Sequence, residues 1–133
     1  MSKIAFNPKF ATGNETVDAE HKRLFELIEE FFDSLGSGKP AANSMHTLTD
    51  LVAYAKIHFV NEENLMRTHK YPQIAQHMAL HNELATKAAN LLQQYKEKKL
   101  TLSTETALFL NDWLVKHILE DDLTMIQWIH DNH

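Results

Sequence analysis

The chain has 133 residues, 44% hydrophobic and 23% charged, with a formal net charge of −5 and no cysteine. That balance suits one globular domain with a real core, and it excludes a disulfide framework and thiolate-held metal. The acidic charge also argues against nucleic acid, which needs clustered Lys and Arg. No apolar run is long enough for a bilayer, and the N-terminus lacks the apolar run and small-residue cleavage site of a secretory signal. The expected location is therefore the cytosol. Three Gly and three Pro leave few sites for tight turns and favour a few long helices, and nine His are the one compositional oddity.

Residues 1–17 read as an irregular N-terminal arm, with Ile4, Phe6 and Phe10 available to pin it down. Asp18 is the expected N-cap of a first helix running to Leu35 and stopped by Gly36-Ser37-Gly38. Its inner stripe is His21, Leu24, Phe25, Ile28, Phe31, Phe32 and Leu35, so His21 is in phase with the core. A second helix follows Pro40 and runs to Arg67, with Leu48, Leu51, Ala55, His58, Glu62 and Leu65 inward. Pro72 is the expected opening of a third, carrying Ile74, His77, His81, Leu84, Ala88, Leu91 and Tyr95. Ser103 marks a fourth, through Ala107, Leu110, Leu114, His117, Ile118 and Met125 to Ile129. The apolar period is that of helices throughout. The predicted fold is all-α, an up-down-up-down four-helix bundle over 18–133 behind the arm, in a single domain spanning 1–133. Exposed faces rich in Lys, Glu and Gln favour a monomer.

Three pairs of metal-ligand residue types sit on these stripes: His58 with Glu62, His77 with His81, and His117 with Asp122; His21 is a seventh. Four residues turn a helix by about 400°, so the first two pairs each project from one face, one turn apart. Five residues from His117 to Asp122 overshoot a turn by about 140° in a regular helix. A carboxylate reaching to a second ion, or a local widening of the helix, resolves the misfit. The bland reading is that core-facing His residues are ordinary packing residues. It does not extend to all seven, because each buried polar group left unsatisfied costs about 2–7 kcal/mol, against a net stability of about 5–15 kcal/mol for a domain. Imidazoles and carboxylates suit iron, zinc or copper, and seven groups exceed what one ion takes. A two-metal centre is the expectation. Glu63, Glu120 and Asp121 fall off the stripes and read as solvated; His46, His69, His130 and His133 read as surface or terminal; Phe59 and Met66 read as core.

The motifs Val17-Asp18-Ala19-Glu20-His21-Lys22, His58-Phe59-Val60-Asn61-Glu62-Glu63, Tyr71-Pro72 leading to His77 and His81, and Asp112-Trp113-Leu114-Val115-Lys116-His117-Ile118 ending at Asp122 resemble the hemerythrin family in its single-domain bacterial form, bacteriohemerythrin. The departures are Phe6, where many members have Trp, and Lys116, where Asn is common. The resemblance implies a non-haem di-iron site, oxo- or hydroxo-bridged. His77, His81 and His117 would saturate one iron; His21 and His58 would hold the other with an open position; Glu62 and Asp122 would bridge. It implies reversible O2 binding for storage, delivery or sensing, with O2 held end-on as hydroperoxide, and no enzymatic activity. Net formal charge is the same before and after O2 binds in this scheme, which suits a dry pocket. Phe25, Phe59, Trp113, Leu114 and Ile118 are the expected pocket lining. The alternatives are a regulatory oxygen, iron or nitric-oxide sensor working with a protein partner, a di-iron oxidase or peroxidase, and a zinc site. The oxidase reading lacks the Glu-x-x-His pairs of ferritin-like bundles.

Overall fold

The computed structural model of the chain describes residues 10–36, 41–97 and 104–132. Four long helices form a bundle: α1 (Glu15–Gly36), α2 (Ala41–Thr68), α3 (Ile74–Lys96) and a fourth helix in three parts, α4 (Thr104–Lys116), a π-helical segment (His117–Asp122) and α5 (Leu123–Asp131). Helix α1 packs against α2 and α4, and α2 against α3. None of these helices is long and apolar enough to cross a membrane. Ser103, Phe6 and Ile4 fall outside the described residues.

Helix α1 begins at Glu15, four residues earlier than the Asp18 cap predicts. Asn14 is the capping residue, its Oδ1 accepting from Val17 N at 3.0 Å. Asp18 turns back toward the arm, where its carboxylate accepts from Thr12 N, Thr12 Oγ1 and Gly13 N. Gly13 has φ of 89°, a left-handed turn that brings its N–H to that carboxylate. Two Asx-type residues four positions apart compete for the cap, and the tertiary demand of the arm decides between them. Pro72 lies in the turn before α3, two residues ahead of its start.

The α2–α3 turn is a Schellman motif: Tyr71 N donates to Met66 O at 2.9 Å and Lys70 N to Arg67 O at 3.2 Å. Its left-handed position is filled by Lys70, with φ of 56°, where glycine is the unstrained choice. Lys70→Gly is expected to raise the urea midpoint by about 0.5–1 kcal/mol of stability, after the extra freedom glycine gains in the unfolded chain is subtracted. A lowered midpoint would show that the Lys70 side chain contributes more than its backbone costs.

The core divides in two. One cluster, including Leu24, Ile28, Phe31, Leu48, Leu51, Leu110, Leu114 and Ile118, fills the bundle toward its Gly36 end. A smaller one, Val17, Met66, Tyr71, Met125, Ile126 and Ile129, closes the other end. Between these apolar layers lies a layer of buried polar groups.

Candidate metal centre

That layer holds all seven residues singled out from the sequence. His21 from α1, His58 and Glu62 from α2, His77 and His81 from α3, and His117 and Asp122 from the fourth helix are each at most 4% exposed. The π-helical segment spans His117 to Asp122, with Leu123 N donating to Ile118 O across five residues. Widening the helix by one residue per turn puts His117 and Asp122 on the same face, and their facing atoms lie 3.0 Å apart.

The two carboxylates divide the five imidazoles into two sets. Glu62 turns Oε2 to His58 Nε2 at 3.1 Å and His21 Nε2 at 3.3 Å, and Oε1 to His81 Nε2 at 3.0 Å and His77 Nε2 at 3.5 Å. Asp122 does the same, with Oδ2 on His21 at 2.8 Å and Oδ1 on His77 at 2.9 Å and His117 at 3.0 Å. Each acid therefore offers one oxygen to each set. The resulting groups, Glu62 with His77, His81, His117 and Asp122, and Glu62 with His21, His58 and Asp122, are both compact enough to hold an ion.

Hydrogen bonding among these groups leaves much unmet. His58 Nε2, His77 Nε2, Glu62 Oε1 and both Asp122 oxygens are buried without a hydrogen-bond partner. His81 Nε2 and His117 Nε2 face each other at 3.1 Å. Two donors about 2.1 Å from a shared ion and at right angles to it lie roughly 3 Å apart, so this spacing and these orphaned atoms fit bound metal.

The remaining ring nitrogens are tied outward. Glu20 accepts from His58 Nδ1 at 2.7 Å and from Asn61 Nδ2 at 2.6 Å. Glu63 lies 3.0 Å from His81 Nδ1, and Asp121 2.9 Å from His117 Nδ1. Such acids fix the tautomer so that Nε2 points inward, and they raise its basicity. This corrects the reading of Glu63 and Asp121 as solvated; their side chains are 16% and 29% exposed and bound to imidazole. Glu120 is exposed, as are His46 and His130, while His69 is half-buried. Asn111, 2% exposed with an unpaired Oδ1, is a buried polar residue that the periodicity did not flag.

Electrostatics of the metal-free chain follow from two acids facing five imidazoles. Burial alone lowers the pKa of His21, His58, His77 and His117, but the acids more than offset it. The Glu62 charge and the Glu20 hydrogen bond lift His58 to about 10. The Asp122 and Glu62 carboxylates close to its Nε2 lift His77 to about 9. His21 and His117 are raised by the same acids. Burial pushes the Glu62 and Asp122 carboxyls upward, yet the facing imidazoles hold both below the usual carboxylate range. Without metal, protons occupy the place of cations.

Aromatic rings shield the imidazoles. Phe59 stacks on His81 with centroids 4.1 Å apart, and Trp113 on His117 at 4.9 Å. Beside them is an apolar cavity of about 40 Å³, lined by Leu24, Ile28, Leu51, Phe59, Trp113 and Leu114 among others. Phe25 and Ile118 are buried in the adjoining core, outside the lining.

A family model described as the hemerythrin HHE cation binding domain matches residues 12–129. The chain belongs to the hemerythrin family. It is 29% identical to the bacteriohemerythrin of Methylococcus capsulatus, over 86% of each chain. It is 32% identical to the myohemerythrin of Theromyzon tessulatum, over 81% of this chain and 78% of that one. A wild-type hemerythrin crystal structure superposes with a TM-score of 0.88 at 27% identity, covering 92% of this chain and 95% of the other. A leucine-to-tyrosine variant of a hemerythrin superposes with a TM-score of 0.91 at 25% identity, over 97% and 98%. The four-helix hemerythrin bundle is thus the fold of this chain.

Proposed function

We propose that this hemerythrin binds O2 reversibly at a pair of iron ions, as a binding protein of the cytosol and not as an enzyme. The observation that carries the reading is the division of labour in Glu62 and Asp122, each with one oxygen toward either imidazole set. His77, His81 and His117 would hold one iron, His21 and His58 the other, with Glu62 and Asp122 spanning both. The two-imidazole side has one nitrogen fewer, which would leave an open position there for O2, held end-on as a hydroperoxide.

The chain's own part is to position the imidazoles, to match charge and to keep water out. Glu20, Glu63 and Asp121 orient three of the five rings. The apolar cavity, at about 40 Å³, has room for a diatomic molecule, and its walls give water no hydrogen bonds to make. Dryness suppresses the proton-assisted loss of reduced oxygen that would oxidise the centre. The same dryness weighs against a peroxidase, whose reaction needs proton delivery at the metal.

An iron-loaded ferrous sample exposed to air is expected to develop a charge-transfer absorption band and to lose it under vacuum. Irreversible bleaching with release of peroxide would replace this reading with that of an oxidase.

A further inference from the structure

Two pockets border the buried layer. The apolar cavity suits O2 but not an ion, since moving a charge through an unpaired apolar passage is prohibitive. A second pocket, of about 190 Å³ and lined by polar as well as apolar groups, opens between α3 and the fourth helix. Tyr71, Gln76, His77, Glu120, Asp121 and Thr124 are among the residues that line it. His77 is itself 4% exposed, and its Nε2, without a hydrogen-bond partner, lies 2.9 Å from Asp122 Oδ1 in the buried layer. His77 thus borders both a surface pocket bearing two acids and the candidate metal centre.

That imidazole is also the least restrained of its set. Nδ1 of His81 and Nδ1 of His117 are held by Glu63 and Asp121. Among the described residues, no carboxylate holds Nδ1 of His77. Turning about its side-chain bonds, His77 can leave the layer without breaking an outer ion pair.

We infer that this pocket is the doorway by which divalent metal reaches the buried centre: Glu120 captures the cation at the mouth, and His77 swings aside to pass it inward. The inference rests on the reading of the buried layer as a metal centre. No redox step is involved; a ferrous ion exchanges water for carboxylate and then imidazole.

The test follows ferrous ion under argon, offered to the full metal-stripped chain with a chromophoric chelator as competitor. Gln76 and Glu120 are exposed, so Gln76→Trp and Glu120→Lys can be made without touching the core. Charge-lined clefts raise association rates by roughly 10–10³-fold, so Glu120→Lys is expected to slow uptake by about tenfold, and by less at high salt. Asp112→Lys, the same charge change at an exposed position outside the pocket, is expected to load at the parental rate. Gln76→Trp is expected to slow uptake and chelator-driven release alike, with final metal content unchanged. A Gln76→Trp chain that loads as fast as its parent overturns the doorway and leaves the centre standing. A parent chain that takes up no ferrous ion overturns the metal centre itself.

Discussion

Glu62→Ala is expected to reduce bound iron from two ions per chain to one or none and to abolish reversible oxygenation. Glu62 is fully buried and lies within 3.5 Å of four of the five imidazoles. No neighbouring acid can replace it, because Glu63 is turned outward to His81 Nδ1. Alanine removes both oxygens at once, so each imidazole set loses an anionic donor and the link between the sets. Glu62→Gln separates charge from volume: it fills the same space but offers one neutral oxygen and an N–H that repels a cation. It too is expected to lose the pair. Metal analysis settles the matter, and two ions per chain in either variant would remove Glu62 from the bridging role.

Stripping the metal is expected to lower the melting temperature and to reverse its pH dependence. In the stripped chain, His58 and His77 are lifted from an ordinary 6.5 to about 10 and about 9. Their protonated forms add stability that is fully present below pH 6.5 and is lost as pH climbs through 9 to 10. Glu62 and Asp122 are depressed below 4.5 and 3.8, so their contribution is present above those values and is lost as pH falls through their folded-state range. The metal-free chain should therefore be most stable at about pH 5–6.5 and weaken on the alkaline side. The loaded chain needs neutral imidazoles, so binding releases protons and strengthens as pH rises over the same interval. Thermal scans at pH 6.5 and 8.5, with and without ferrous ion under argon, should give slopes of opposite sign. A difference of about 10 °C between pH values corresponds to roughly 2–3 kcal/mol for a chain of this size. Parallel slopes would mean that the imidazoles do not exchange protons for metal.

The seven central residues were legible because buried ligands on helices must share the phase of the apolar stripe. His58 and Glu62, or His77 and His81, announce themselves at a spacing of four. The acids behind them were not, because a group that reaches an outward-facing Nδ1 sits at the stripe's edge, where charge is ordinary. Yet each is the sequence neighbour of a central residue: Glu20 beside His21, Glu63 beside Glu62, Asp121 beside Asp122. An acid directly adjoining a core-facing ligand type is the pattern that would have found them. The step from His117 to Asp122 showed its misfit in the sequence but left two remedies open. The helix widens, and the Asp122 carboxylate also faces both imidazole sets. The cap of α1 was misread because Asp18 and Asn14 are chemically alike, and only the folded arm, through Thr12 and Gly13, distinguishes them.

The widened turn in the fourth helix also acts as a phase shifter. A regular helix advances about 100° per residue, so excising one residue between Ile118 and Asp122 would rotate everything downstream by that angle. Met125, Ile126 and Ile129 would then swing away from Val17, Met66 and Tyr71, which they now cover. A single supernumerary residue thus sets the azimuth of an acid and seals the lower lid of the barrel with the same stroke, and neither could be retuned without the other.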